Sequence, residues 1–236
     1  MDNLVGHRRR YLRKAYQIGF VAGCLALGVV AAVPHHHLMR LLRSPTSAPA
    51  RLDAQSTQSA YLGARLANIS SAQLKSNVLL DDIPSFTVAG LPTVRLAVRA
   101  TEVQTRHHVE IYLDDIELAR MHRISLLACP IGIRHLTIEA LDRVSGSKDG
   151  RYGRIRLDLF TGDVSADGDV ARFGLVKLPH MDEGCAAGWR VVAFDMNFKR
   201  TFISLAVTLL DENGNLKYRG TEGAEVILSG IFLRAL

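Results

Sequence analysis

From residue 82 onward the apolar positions recur every second residue. Val94, Leu96, Val98 and Ala100 alternate with Arg95, Ala97, Arg99 and Thr101, and Val109, Ile111 and Leu113 alternate with Glu110, Tyr112 and Asp114. The same period runs through 136–141, 154–159 and 192–198, and Ile203, Leu205, Val207 and Leu209 close the series. Successive side chains on a strand point to opposite faces, so each segment offers one face to a core and one to water. Ser145-Gly146, Asp149-Gly150, Asp167-Gly168 and Asn213-Gly214 fall between these segments as turns. Regularly spaced alternating strands with Gly/Asp turns predict a mainly β domain over 82–236, an antiparallel β-sandwich divisible into sub-modules 82–162 and 163–236.

A different pattern precedes it. Residues 15–33, AYQIGFVAGCLALGVVAAV, carry no charge. At about 1.5 Å per residue they match a hydrocarbon core of ~30 Å, where only a helix satisfies its own backbone. This predicts a transmembrane helix. Arg8, Arg9, Arg10, Arg13 and Lys14 precede it, and Arg40, Arg43 and Arg51 follow more sparsely. The excess of positive charge places the tail 1–14 in the cytoplasm and the folded part beyond the membrane. The implied site is a bacterial inner membrane with a periplasmic domain, or a mitochondrial inner membrane, since 3–52 lack acidic residues as presequences do. Export readings compete with a permanent anchor: the twin-arginine-like RRRYLR at 8–13, a small-residue cleavage site at 30–32, and a lipobox-like VAGC at 21–24. Ala15, Gly19 and Gly23 line one helix face at i, i+4 spacing, which lets a second helix pack closely.

Between anchor and strands, 34–81 reads as a linker. SPTSAPARLDAQSTQS has little to bury, and 58–80 is loosely helical. The formal charge of +6 resides near the anchor: residues 1–52 hold eight Lys/Arg and one Asp, leaving −1 for the remainder. That distribution fits membrane lipid and excludes a nucleic-acid footprint. Cys129 and Cys185, on the external side, form a candidate disulfide, with two buried thiols as the alternative.

The stretch 109–115, VEIYLDD, followed by GIRHLTIEALD at 132–142 and Ser145-Gly146, resembles bacterial immunoglobulin-like domains over 94–160. The resemblance implies a β-sandwich serving as a binding or spacer module. Trp189 follows Cys185, so the Cys–Trp–Cys hallmark of antibody domains is missing.

Little catalytic chemistry is legible. There is no G-x-S-x-G elbow, phosphate-binding Gly loop or H-E-x-x-H. Asp163, Ser165, Asp167 and Asp169 repeat the oxygen spacing of a calcium loop, without the closing Glu, and read equally as an acidic hairpin loop. His35–His37, and the stretch from His180 to Cys185, follow no zinc spacing. His107 and His108 fall on opposite faces of one strand. Asp81-Asp82 and Asp114-Asp115 read as turn residues. The expectation is therefore a non-enzymatic, cofactor-free single-pass protein whose external sandwich docks on other subunits of a membrane complex, in secretion, respiration or photosynthesis. The alternative is an exported or anchored module that binds carbohydrate or calcium.

Overall fold

Alternation becomes strand wherever one face can reach the core. A computed structural model describes residues 48–60, 65–67, 74–88, 91–114, 116–142, 150–179, 184–221 and 223–236. The elements are β1 (Ala50–Arg51), α1 (Ala54–Gln58), β2 (Arg65–Ala67), β3 (Leu74–Ser76), β4 (Val78–Val88), β5 (Leu91–Val98), β6 (His107–Leu113) and β7 (Met121–Ile131). They continue with β8 (His135–Leu141), β9 (Tyr152–Asp158), β10 (Val164–Gly168), β11 (Val170–Lys177), β12 (Arg190–Asn197), β13 (Ile203–Leu209) and β14 (Glu225–Ala235). The strands foreseen from period two correspond to β5, β6, β8, β9, β12 and β13. β7 and β14 escape that pattern because both of their faces are covered and apolar or small residues fill both, from Ile124 to Pro130 and from Val226 to Leu233, whereas β12, buried as continuously, stays legible through Ala193, Asp195 and Asn197.

Two sheets form. One runs β1-β11-β12-β7-β14-β5-β4, with β2 also on β14; the other runs β10-β9-β8-β13-β6-β3. Pairing is antiparallel throughout these ladders except for β1 beside β11. Strands β5 to β8 cross from sheet to sheet in turn. The central orders β5-β14-β7-β12 and β6-β13-β8-β9 are those of a jelly roll. The sandwich implied by the immunoglobulin-like resemblance is thus formed, with jelly-roll strand order. The division at 162/163 does not appear. β13 lies between β6 and β8, and β14 between β5 and β7, so both halves share one compact unit, Ser47–Leu236. Between the sheets lie Leu96, Ile111, Ile124, Leu126, Ile138, Ile155, Phe194, Leu205 and Leu228, all at most 2% exposed. Gly230, at φ +69°, supplies the left-handed residue of the bulge that shifts β14 by one position against β7.

The eight-stranded sheet is also covered on its outside. Leu127, Cys129, Val191, Ala193 and Ile227 project there and meet Ala60, Leu178, Cys185 and Trp189 in a second apolar cluster. Cys129 and Cys185 are joined by a disulfide, Cα atoms 5.9 Å apart. It ties the connection after β11 down onto β7.

Residues 48–60, read from sequence as linker, belong to this cover. Ala50 and Arg51 pair with Arg172 and Phe173, and Leu52 N–H donates to Phe173 O at 2.7 Å. Asp53 caps α1, accepting from Ser56 N–H at 2.7 Å. Thr57 is wholly buried, and a Cβ on Gly174 would stand 2.1 Å from its Oγ1, so only glycine admits the helix there. Beneath it, wholly buried Asp195 accepts from Arg123 Nε and Nη2 at 2.7 and 2.9 Å and pairs with Arg172 Nε at 2.7 Å. A carboxylate so enclosed persists only because both guanidinium groups meet it. Within 58–80, β2, β3 and the start of β4 replace the expected helical piece, because backbone pairing with β14, β6 and β5 is available. Asp81 and Asp82 accordingly sit in strand β4, with Asp81 pairing Arg95 at 2.9 Å, and are not turn residues.

The anchor expected over 15–33, its Ala15, Gly19 and Gly23 face, and the tail 1–14 lie outside the described residues. Among those described, no helix is long and apolar enough to cross a membrane.

Replacing both Cys129 and Cys185 by Ser should destabilise the domain by about 4 kcal/mol, from loop-closure entropy over the intervening chain. Urea titration in the absence of reductant measures it, and reductant should lower the parent but not the double variant. Gly174→Val should release residues 48–60 while the sandwich stays folded, detected as faster tryptic cleavage at Arg51.

Candidate functional site

The six-stranded sheet has a polar outer face. Val109, Ile111, Leu136, Ile138, Ile155, Leu157, Leu205 and Val207 turn inward, so their alternate neighbours turn outward. Register aligns these neighbours in rows. Asp167, Arg154, Glu139, Ala206 and Glu110 form one; Ser165, Arg156, Thr137, Thr208 and His108 a second; Tyr152, Leu141, Ser204 and Tyr112 a third.

Arg154 organises the first row. Its Nη2 lies 2.6 Å from Asp167 Oδ2, its Nη1 3.5 Å from Glu139 Oε1, and its guanidinium 5.6 Å from the centre of the Tyr152 ring. Burial, reinforced by Glu139 and Asp167, pushes the Tyr152 phenol up to about 12. Glu110 accepts a hydrogen bond from Ser204 Oγ and meets no cation among the described residues. In the second row, Arg156 is exposed and has no hydrogen bond or ion pair among the described residues, while buried Thr137 Oγ1 and His108 Nδ1 lack partners. Burial depresses the His108 imidazole against the pull of Glu110, which keeps it neutral at neutral pH. At the end of the third row Tyr112 and Phe202 stack, centroids 5.3 Å apart and planes 29° from parallel. They are 38% and 46% exposed, which leaves their rings available to a ligand.

A cleft of about 330 Å³ borders this face, lined in part by Arg51, His135, Arg156, Asp158, Asp163 and Ser165. Asp158 is fully engaged there. Burial raises its carboxyl, but Arg134 at 2.7 Å and the N–H groups of Thr161 and Phe160 outweigh that and hold it well below the usual carboxylate range.

The calcium-spaced residues do not converge. Residues 164–168 form strand β10 rather than a loop, so Asp163, Ser165 and Asp167 are strung out over about 13 Å. Asp167 is taken by Arg154, Asp169 accepts from Tyr152 N–H at 3.0 Å, and Asp163 accepts from Thr161 Oγ1 at 2.9 Å. Among the described residues no three His, Cys, Asp or Glu side chains gather to hold a metal. His107 and His108 take opposite faces: His107 is wholly buried between Asn77 O at 2.8 Å and Tyr218 O at 3.3 Å. Nothing in the sequence alone sets Glu110, Glu139, Arg154 and Arg156 apart as one face. Their signal is only the polar half of the same alternation that marks the strands.

No family profile and no curated protein sequence matches the chain. Solved structures resemble it in overall sandwich architecture. The CBM22-1 xylan-binding domain from Paenibacillus barcinonensis Xyn10C aligns at 11% identity, TM-score 0.42, over 73% of this chain and 95% of that one. The C-terminal CBM6 of a Zobellia galactanivorans laminarinase aligns at 8% identity, TM-score 0.39, over 72% and 98%. A carbohydrate-binding module of Cellvibrio mixtus lichenase 5A, solved with cellotriose, aligns at 7% identity, TM-score 0.37, over 72% and 95%.

His108 and His122 are both depressed by burial, partly offset by Glu110 and by the Arg120 carbonyl respectively. The unfolded chain therefore takes up protons that the fold resists as pH falls through the ordinary imidazole range. Stability should be greatest above that range and decline on acidification through it. Thermal unfolding between pH 7.5 and 5 measures this, and His108→Gln with His122→Gln should flatten the upper part of the slope.

Proposed function

We propose that this chain is a non-catalytic glycan-binding module, held outside the membrane by the apolar run 15–33. The outer face of the six-stranded sheet carries the reading. It combines an exposed aromatic pair, Tyr112 and Phe202, with guanidinium, carboxylate, hydroxyl and imidazole groups whose donors and acceptors are partly unused. Sugars present hydroxyls around their rim and C–H groups on their faces. Such a ligand satisfies both kinds of surface at once, as small-molecule sites do with few placed polar groups beside apolar ones.

A permanent protein partner is less well served. The core of such an interface is depleted of charge, whereas this face is crossed by Asp167, Arg154, Glu139 and Glu110 in a single row. That favours a ligand-binding module over a docking subunit of a membrane complex. Support for a non-catalytic role comes from Asp158, one of two carboxylates at the cleft beside Asp163. Held ionised by Arg134 and two backbone N–H groups, it has no proton to give a leaving group. The tether rests on the uncharged run and on the Lys/Arg excess before it.

The test uses the full chain in a non-glycosidic detergent against immobilised laminarin, xylan and β-1,4-galactan. At least one should retard the protein in affinity electrophoresis. Tyr112→Ala with Phe202→Ala should weaken retention about tenfold, or ~1.4 kcal/mol, without loss of melting temperature. Failure to bind any glycan of a broad array, or an unchanged double variant, would overturn the reading.

A further inference from the structure

Along β13 the outward residues are all small: Ser204, Ala206 and Thr208. Ser204 and Ala206 have larger neighbours on both sides, and Thr208 has one of its own size, Thr137, on β8. β6 supplies His108, Glu110 and Tyr112, and β8 supplies Thr137, Glu139 and Leu141, each facing β13 in register. The result is a trough over Ser204 and Ala206 of β13, with Phe202 at one end stacked on Tyr112. At its middle Ala206 pairs with both Glu110 and Glu139. Adjacent strands lie about 4.8 Å apart, so two carboxylate-bearing residues face each other across roughly 10 Å with only a methyl group between them.

The charge of this trough is poorly compensated. Among the described residues Glu110 meets the Ser204 hydroxyl and no cation, and Arg154 is divided between Glu139 and Asp167. Two ionised carboxylates accept hydrogen bonds from hydroxyls and repel other anions. A second observation marks the same place. Thr137, two residues from Glu139 on the same face of β8, is wholly buried with its Oγ1 unpartnered, and His108 Nδ1 on the opposite wall is unpartnered too. Building on the reading of this face as a glycan site, we infer that the ligand is a neutral glycan lying along β13 over Ala206, its hydroxyls held between Glu110 and Glu139. Anionic polysaccharides are rejected by those carboxylates. Arg156 lies one row away, in register with Thr137 and Ser165, and makes no ion pair with Glu110 or Glu139 among the described residues.

The full chain in non-glycosidic detergent is run in affinity electrophoresis against neutral probes (xylan, laminarin, β-1,4-galactan) and acidic ones (polygalacturonate, alginate) at low salt. The wild type should bind a neutral probe and neither acidic one. Ala206→Leu fills the trough and should cost at least tenfold on the neutral probe. Glu110→Gln with Glu139→Gln, which keeps the shape, should weaken the neutral probe several-fold and admit polygalacturonate. Preference of the wild type for an acidic probe overturns the inference while leaving a glycan site in place. So does unchanged binding by both the Ala206 and the double Gln variants when Tyr112→Ala with Phe202→Ala still loses binding. Capture of polylysine in preference to every neutral probe overturns the inference as well. Absence of any glycan binding removes the reading beneath it.

Discussion

The structure depends on a single apolar layer shared by two sheets. Leu96, Ile124, Phe194 and Leu228 reach it from one side, and Ile111, Ile138, Ile155 and Leu205 from the other. Each such side chain, fully withdrawn from water, stabilises by about 1.5–3 kcal/mol. The burial is collective: neither sheet can cover its inner face without the other. Jelly-roll crossing enforces this, since β5, β6, β7 and β8 visit the two sheets alternately and no half of the chain can close a layer alone. Register follows from the same constraint. A slip of one residue in β13 would bring Ser204 and Ala206 into the layer and expel Leu205 and Val207.

Once the layer is fixed, the two outer faces are determined and are treated in opposite ways. The eight-stranded sheet turns Leu127, Cys129, Val191 and Ile227 outward, and the chain covers them with its own residues: α1, the segment around Trp189 and the Cys129–Cys185 bond. The wholly buried carboxylate on that side, Asp195, is enclosed by Arg123 and Arg172. The six-stranded sheet turns charged and hydroxyl groups outward, with the aromatic pair at its margin. Closed apolar packing on one side and a charged face with an exposed aromatic pair on the other distinguish a structural surface from one open to a solvated ligand.

The legibility of these features in the sequence differs for physical reasons. Period two revealed β6, β8, β9 and β13 because each has one wet face. It missed β7, where Ser125, Leu127 and Cys129 are buried on the outside as Ile124, Leu126 and Ala128 are within. It also assigned 48–60 to a linker. What holds that segment is backbone pairing, one cap and the room left by Gly174, none of which depends on apolar composition. The oxygen spacing at 163–169 suggested a loop, whereas pairing with β9 draws those residues into a strand. Glu110 and Glu139 were visible as polar positions. That they confront each other across Ala206 is a property of strand order, and β13 comes some 65 residues after Glu139 in the chain.

The small residues of β13 are informative because a central strand gains most from large outward side chains when its face is to be closed. On the eight-stranded sheet the central strand β7 places Leu127 and Cys129 there, and both are buried under the chain's own cover. β13 occupies the corresponding central position in its sheet and carries Ser204, Ala206 and Thr208 instead. Neither packing nor strand propensity rewards Ala at such a position. A small residue between two carboxylates has a physical rationale if another molecule occupies the space. The same sequence pattern that builds the inner layer, large residues at Ile203, Leu205, Val207 and Leu209, thereby leaves its counterpart open one residue out of phase. The trough is thus the outward half of the alternation that folds the protein.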